Sequence, residues 1–461
     1  MAAKWLAVAL AFVASATVLA LPTPQRWQTA NGVPVALVER HDLPVIDVQI
    51  DFDAGESRSP ADQPGLATLA FASIIDKQLE DYEWRTPYQL LTDSGNQYGV
   101  DVYRDRATLR LRMVSNRNNP GTHISTLAQQ LANAKYPFET LKYRRDWLGG
   151  RFSSDPKAAS AERALAYTLF GEHPLGRSDR RTPDSMRSVG NSDCRGFYRQ
   201  YLVPGNANIT FVGDIGRAEA ERLADLLTEH LPKGEAAPPL PELKIASKVD
   251  SKPIRIVRNK NQSSIEMGQL LPLDRNADDY AALLLANYMF GGAGFESRLM
   301  RELREKRGLT YDVSSSLTTL RGVSWLSIEV ATRSEEEASM LALLRGEVER
   351  FTRDGPEADE MVEAKDRFLR GMKFWGDDNA DLLQLIANID YYHLPADYYD
   401  RLAARITKLT AADVKAAWQR HVDPARFVVA IEGPQPKAAE DKPAPTAKQA
   451  AEPASDKADA S

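Results

Sequence analysis

The chain has 461 residues, of which 43% are hydrophobic and 26% are charged, proportions typical of soluble globular proteins and not of disordered or polytopic membrane proteins. Its 58 Lys and Arg residues are balanced by 64 Asp and Glu residues, so no excess of positive charge indicates a nucleic-acid partner. The one cysteine, Cys194, excludes an internal disulfide and a cysteine-based metal site, and its place on an amphipathic helix predicts a buried side chain.

The two ends of the chain are predicted to lie outside the fold. Residues 1–20 begin with Lys4, continue through an apolar run and end in small residues, the layout of a secretory signal that is cleaved after Ala20. The protein is therefore expected in the periplasm or outside the cell; an uncleaved signal would associate it with the membrane. Residues 435–461 consist mostly of Ala, Pro, Lys, Asp and Glu, which predicts a disordered tail.

The remaining chain contains an internal repeat with an offset of 220 positions. Each half begins with a strand pair and ends with a helix, a Pro turn and a strand that stops at Gly. The corresponding segments are 33–41, 44–52 and 192–213 in the first half and 253–261, 264–271 and 412–433 in the second. The repeat predicts two homologous half-domains, 21–244 and 245–434, joined by a Pro-rich linker.

The pattern of apolar residues along the chain predicts the class of the fold. Alternation predicts strands at 44–52 and 107–114, whereas helical spacing predicts helices at 217–230 and 335–353. Near the end, Thr410 and Asp413 have the spacing of a capping box. Strands in neighbouring runs with clustered helices indicate an α+β fold, with an antiparallel-rich sheet in each half and helices packed on it.

Five segments, taken in order, carry a resemblance to a known family: residues 31–35, 65–67, 170–176, 201–214 and 297–311. They are similar to the pitrilysin/insulinase family of inverted zinc peptidases, in the short branch that resembles mitochondrial processing peptidases. The resemblance extends over nearly all of the chain up to Gly433. It implies the two-half-domain fold of that family.

The resemblance also identifies what this chain has lost. Active family members carry H-x-x-E-H on a helix, where two His bind zinc and the Glu accepts a proton from the metal-bound water. The matching positions here are Thr68, Phe71 and Ala72, none of which can perform that role. The family's third ligand, a Glu, is expected near Leu148 or Gly149, and no Glu occurs from 140 to 161. The sequence therefore predicts no metal site in this chain.

A second set of family residues is retained. Residues 296–307 are predicted to form a helix that Gly308 terminates. Family members that complete the substrate site from the second half carry an Arg followed seven residues later by a Tyr, and Arg304 and Tyr311 match. The resemblance implies that this pair contacts substrate and oxyanion; the alternative is a helix-terminal cation and an ordinary strand aromatic. Arg307 competes for the role but does not match the spacing.

Gly291, Gly292 and Gly294 precede this helix, where the non-catalytic subunit of mitochondrial processing peptidases has a glycine-rich substrate loop. A role in substrate binding is one interpretation. A helix end followed by a tight turn accounts for the same glycines.

These features favour a non-catalytic subunit of an exported heterodimeric zinc peptidase. The implied partner is a homologous chain with an intact H-x-x-E-H, which holds the zinc cofactor, and the implied substrate is a peptide or an unfolded protein segment. Two alternatives stay open. One is a scaffold or peptide-binding pseudopeptidase without a part in catalysis, and the other is an unusual hydrolase with unrecognised residues.

Overall fold

A computed structural model of the protein describes residues 21–75, 87–92, 95–115 and 120–435. The predicted export signal at 1–20 lies outside the described residues, as does the predicted tail after Gln435. None of the helices in these ranges is both long and apolar enough to span a bilayer.

The first half contains a six-stranded sheet with the order β1-β2-β6-β3-β5-β4. Strands β2 and β6 are parallel, and the other neighbours are antiparallel. The strands are β1 (Gln25–Gln28), β2 (Pro34–Glu39), β3 (Val45–Phe52), β4 (Gln97–Val102), β5 (Ala107–Val114) and β6 (Ala207–Gly213).

The second half contains a five-stranded sheet with the order β7-β11-β8-β10-β9. Its strands are β7 (Ile254–Val257), β8 (Gln262–Leu271), β9 (Thr310–Leu320), β10 (Val323–Arg333) and β11 (Val428–Gly433). The pair β7 and β11 is parallel, and the others are antiparallel. This order is that of β2-β6-β3-β5-β4 in the first sheet, so the shared topology supports the repeat inferred from the sequence.

Helices pack on both sheets, which confirms the predicted α+β class with two half-domains. The first half has α1 (Leu66–Ala72), α2 (Pro87–Thr92), α3 (Pro120–Ala132), α4 (Phe138–Gly149), α5 (Ala161–Phe170), α6 (Pro183–Ser188), α7 (Asn191–Tyr201) and α8 (Arg217–Thr228). The second half has α9 (Tyr280–Asn287), α10 (Glu337–Asp354), α11 (Ala358–Met372), α12 (Asn379–Tyr391), α13 (Tyr398–Lys408) and α14 (Ala411–His421).

Local sequence signals account for several of these elements. Strand β5 has the predicted bounds, and α8 begins at the predicted residue. The capping box of α14 is present, because Thr410 accepts a hydrogen bond from the backbone N–H of Asp413 and the Asp413 carboxylate accepts one in return. Cys194 is fully buried on α7, as predicted. No helix or strand occurs from 229 to 253, where the linker is predicted.

Each half contributes one helix to the sheet of the other half. Helix α5 packs Ala164 and Leu165 against Val428 and Ala430 of β11. Helix α12 packs Leu382 and its neighbours against β2 and β6 of the first sheet. Because each sheet is then covered on both faces, its central strands are largely buried, and β11 is buried throughout.

Candidate functional site

Helix α1 carries the positions of the lost zinc motif. It starts after Gly65, which has a φ of +104°, a conformation that favours glycine. Phe71 is fully buried, and its ring lies 6.0 Å from the ring of Phe52. Phe71 therefore packs in the core of the first half, and it has no group that could exchange a proton. Ala72, half-buried one position further on, has no donor atom.

Thr68 takes part in a hydrogen-bond network where the family has a metal ligand. Its hydroxyl donates to the carboxylate of Glu56 at 2.6 Å and accepts from the guanidinium of Arg181 at 3.1 Å. Glu56 is fully buried, and it also accepts from the Ser59 hydroxyl and from the backbone N–H of Gly65. A buried carboxylate needs such partners, so this network fixes the start of α1.

A cavity of about 370 Å³ lies against the exposed side of α1. Thr68, Phe71 and Ala72 line it together with Leu148, one of the two residues near which the third metal ligand is expected. The structure therefore brings the three predicted positions and Leu148 together around one space. Among the described residues, no group of three or more His, Cys, Asp or Glu side chains could hold a metal ion.

Arg304 and Tyr311 lie side by side in the second half. The guanidinium carbon of Arg304 is 5.2 Å from the centre of the Tyr311 ring and 4.5 Å from the centre of the Phe295 ring. Tyr311 is 87% exposed and Phe295 is 62% exposed, so a cation between two accessible aromatic rings faces solvent. Phe295 is not among the residues that the sequence predicted for this site. Its signal was a large apolar residue directly after the glycine run.

Arg307, the competing candidate, is occupied by a structural contact. It donates to the backbone carbonyl of Glu302 at 2.6 Å and to the Glu302 carboxylate at 2.8 Å. Burial alone would raise the pKa of Glu302, but hydrogen bonds from Arg307 and Lys306 outweigh it and lower that pKa to about 2. Arg304, in contrast, forms no ion pair with a carboxylate in the described part of the chain, which leaves its donors available.

The helix before Tyr311 differs from the regular helix predicted over 296–307. Residues 294–296 form a 3-10 turn, and the segment Met300–Glu305 is a π-helix in which, for example, the N–H of Lys306 bonds the carbonyl of Arg301 five residues earlier. The sequence pattern does not separate a π-helix from an α-helix. The helix ends at Glu305, two residues before the predicted end, and Gly308 has a φ of +63°, the left-handed conformation that was predicted for it.

The glycine run has a packing explanation at two positions. A Cβ on Gly291 would lie 2.5 Å from the Ser315 hydroxyl and 2.6 Å from its backbone nitrogen on β9. A Cβ on Gly292 would lie 3.1 Å from the backbone carbonyl oxygen of Asn287. Gly294 is different, since it has open space around it and a φ of +58°, as a turn requires. A substrate-binding role for these glycines stays a prediction.

Comparison with known proteins agrees with the family resemblance. Residues 188–368 match the family described as the peptidase M16 inactive domain. The non-peptidase homolog YmxG of Helicobacter pylori is 22% identical over 393 residues, which cover 85% of this chain and 89% of that protein. An uncharacterized zinc protease of Mycobacterium tuberculosis is 26% identical over 320 residues, which cover 68% of this chain and 71% of that protein.

Solved structures are also similar. A peptidase M16 inactive domain from Pseudomonas fluorescens has a TM-score of 0.82 and 29% identity, covering 89% of this chain and 98% of that chain. A protease from Helicobacter pylori has a TM-score of 0.79 at 16% identity, covering 90% of this chain and all of that chain, and this likeness concerns the fold alone.

Proposed function

We propose a function for this chain from the premise that it belongs to the M16, or pitrilysin, family of peptidases and is a non-catalytic member of it. The proposed role is that of the non-catalytic subunit of an exported, heterodimeric zinc peptidase. A homologous partner with an intact H-x-x-E-H supplies the zinc, and this chain supplies Arg304 and Tyr311 to a peptide or unfolded-protein substrate.

One observation carries the proposal: Arg304 and Tyr311 are adjacent and accessible, and Arg304 is held by aromatic rings instead of by a carboxylate. A guanidinium without a paired carboxylate can donate two hydrogen bonds to a peptide carbonyl or a terminal carboxylate. A phenol hydroxyl can donate to the oxyanion that forms when a zinc-bound water attacks an amide. The neighbouring Arg307 cannot take this role while it binds Glu302.

A second candidate function is a peptide-binding pseudopeptidase that assists no catalysis. The hydrogen-bonded Thr68 and the cavity beside it favour this candidate, because they show an organised site where the family has its metal. It differs from the first candidate in one respect. It predicts no gain in activity when the chain meets a zinc-bearing partner.

The test is turnover of the complex formed by co-expressing this chain with a homologous M16 chain that has an intact H-x-x-E-H. Tyr311→Phe removes one oxyanion donor, so turnover should fall about 10²–10³-fold. Arg304→Ala should raise KM as well, because a charged hydrogen bond contributes roughly 1.5–3 kcal/mol to binding.

The matched controls are Tyr143→Phe and Arg353→Ala. Tyr143 is an exposed tyrosine on α4, and Arg353 is an exposed arginine in the last turn of α10. Both should leave turnover and KM unchanged, since exposed ion pairs such as the one between Arg353 and Asp354 contribute little. The proposal fails if no complex forms, or if the Tyr311 and Arg304 variants behave like the controls.

A further inference from the structure

The cavity beside α1, here called the α1–α4 cavity, is positively charged. Three arginines line it: Arg144 on α4, Arg151 after α4, and Arg181 before α6. None of the described residues that line the cavity is acidic. Because like charges repel, three guanidinium groups around one space favour an anion between them.

Within the described residues, these guanidinium groups have no carboxylate partner. In the described ranges, no Asp or Glu forms an ion pair with Arg144 or Arg151. Arg151 lies over the ring of Trp147, with its guanidinium carbon 4.1 Å from the ring centre. Arg181 donates to the backbone carbonyl of Ser178 and to Thr68, which orients it. An anion in the cavity would provide the missing acceptors.

A buried hydroxyl in the same cavity also lacks an acceptor. The Tyr98 oxygen is shielded from solvent and has no hydrogen-bond partner among the residues that the structure describes. Burial raises the pKa of Tyr98, so the hydroxyl keeps its proton at neutral pH and remains a donor. A buried donor without a partner is unusual in native proteins, and a bound ligand is one way to satisfy it.

The rest of the wall is apolar. Phe71, Ile75, Val100, Val102 and Leu148 form it, and Trp147, which is 46% exposed, also lines the cavity. A volume of about 370 Å³ lies at the small end of the range for ligand sites, which runs from roughly 300 to 1,000 Å³. A phosphate ion would leave the apolar wall uncovered. A carboxylate attached to an apolar group would use both kinds of surface.

We propose that the α1–α4 cavity binds the free C-terminus of a peptide whose last residue is apolar. The terminal carboxylate lies between Arg144, Arg151 and the Tyr98 hydroxyl, and the last side chain contacts the apolar wall. Trp147 offers a surface for the residue before it. This inference rests on the second candidate function, since it assigns the same cavity to one end of a peptide, and it needs neither a partner nor zinc.

The experiment is isothermal titration calorimetry of the purified chain with a hexapeptide that ends in Phe. The peptide with a free carboxylate should bind at least 10-fold more tightly than the same peptide with a C-terminal amide. It should also bind at least 10-fold more tightly than 3-phenylpropionate or inorganic phosphate, which test for a small-molecule acid and for a general anion site. Equal binding of any of these three probes would overturn the proposal.

Two variants test the named contacts. Arg144→Gln should weaken peptide binding 10-fold or more, since it removes a charged donor. Tyr98→Phe should weaken binding about 3- to 10-fold without lowering the midpoint of denaturant unfolding, because the hydroxyl has no partner among the residues that the structure describes. If that hydroxyl had a structural role, Tyr98→Phe would instead lower the midpoint of denaturant unfolding.

The matched control is Lys142→Gln, which removes a positive charge from an exposed position of the same helix outside the cavity. It should bind the peptide as the unmodified chain does. If Lys142→Gln weakens binding as much as Arg144→Gln, the overall positive charge of α4 attracts the peptide, and the proposed binding site is wrong. If Arg144→Gln and Tyr98→Phe both bind normally, the peptide does not occupy this cavity. Either result leaves the heterodimer proposal standing, since that is tested by the activity of the complex.

Discussion

At the scale of single residues, the positions predicted to match the family's zinc motif hold side chains with contacts of their own. Thr68 joins a hydrogen-bond network with Glu56 and Arg181, and Phe71 packs against Phe52. Each replacement has its own contacts, so restoring one His would break a network without recreating a zinc site. Contacts also distinguish the two arginines. Arg307 is bound to Glu302, whereas Arg304 has no carboxylate partner among the described residues.

Gly291 offers a prediction at this scale. Replacing it with Ala places a Cβ within 2.6 Å of the Ser315 backbone, which β9 holds in place, so Gly291→Ala should lower the free energy of unfolding by about 1–3 kcal/mol. Gly371→Ala is the control, because Gly371 lies in α11 with open space around it and should gain up to about 1 kcal/mol. Denaturant unfolding measures both. A fully stable Gly291→Ala that loses only substrate binding would contradict the packing explanation.

The sequence could predict residues whose chemistry depends on short spacing. Arg304 and Tyr311 are seven positions apart, at a helix end and the following strand, and the structure brings them together. Phe295 joins them only because the 3-10 turn and the π-helix set its position, and no sequence period signals either. The α1–α4 cavity could not be predicted from the sequence, for a similar reason. Arg144 and Arg151 belong to one segment, but Arg181 and Tyr98 come from others, and only tertiary packing brings them to the same cavity.

At the scale of secondary structure elements, the exchange of α5 and α12 links the two halves. Apolar spacing predicts that a helix has a buried face, but it does not tell which sheet that face covers. Here α12 lies in the second half of the chain and packs on the first sheet, while α5 lies in the first half and packs on the second sheet. The alternation that predicted β3 and β5 correctly therefore carried no information about this arrangement.

The exchange predicts that a change in α12 destabilises the first half. Leu382 is fully buried against β2 and β6, so Leu382→Ala should lower the free energy of unfolding by about 2–5 kcal/mol. Val362→Ala on α11 is the control, because Val362 is 68% exposed and its loss should change stability by about 0.5 kcal/mol or less. Hydrogen exchange should show faster opening of β2 and β6 amides in Leu382→Ala. Protection lost only in the second half would mean that the halves are stabilised independently.

At the scale of the whole molecule, polar contacts complete the interface between the halves. Arg321 from the second half bonds the carboxylate of Asp53 in the first at 3.0 Å. The Tyr391 hydroxyl donates to the backbone carbonyl of Asp105 at 2.7 Å, and the hydroxyl of Tyr392 donates to the Asp105 carboxylate. With α5 and α12 exchanged, these contacts make one body of the two half-domains. The two candidate sites therefore lie in half-domains that are joined by direct contacts.

A buried carboxyl at this interface makes the stability of the whole molecule depend on pH. Glu266 lies on β8, opposite Glu329 on β10 and near Glu162 on α5. Burial, together with the charges of Glu329 and Glu162, raises its pKa to about 8. In the unfolded chain the same group titrates near 4.3. The folded protein therefore keeps its full stability below the unfolded pKa of about 4.3. Its free energy of unfolding falls as the pH rises from there toward the folded pKa of about 8.

Glu266→Gln should remove this dependence, because the amide keeps the shape of the protonated acid and cannot ionise. At pH 8 the variant should be more stable than the unmodified chain by about 4–5 kcal/mol, whereas at pH 4 the two should agree. Unfolding midpoints in denaturant between pH 4 and pH 8 measure the difference. Glu335→Gln, at a side chain that is 71% exposed, controls for the loss of one negative charge and should follow the unmodified chain. If the stability of Glu266→Gln also falls as the pH rises, in parallel with the unmodified chain, Glu266 is ionised in the folded protein. The contact between α5 and the second sheet would then tolerate a buried charge.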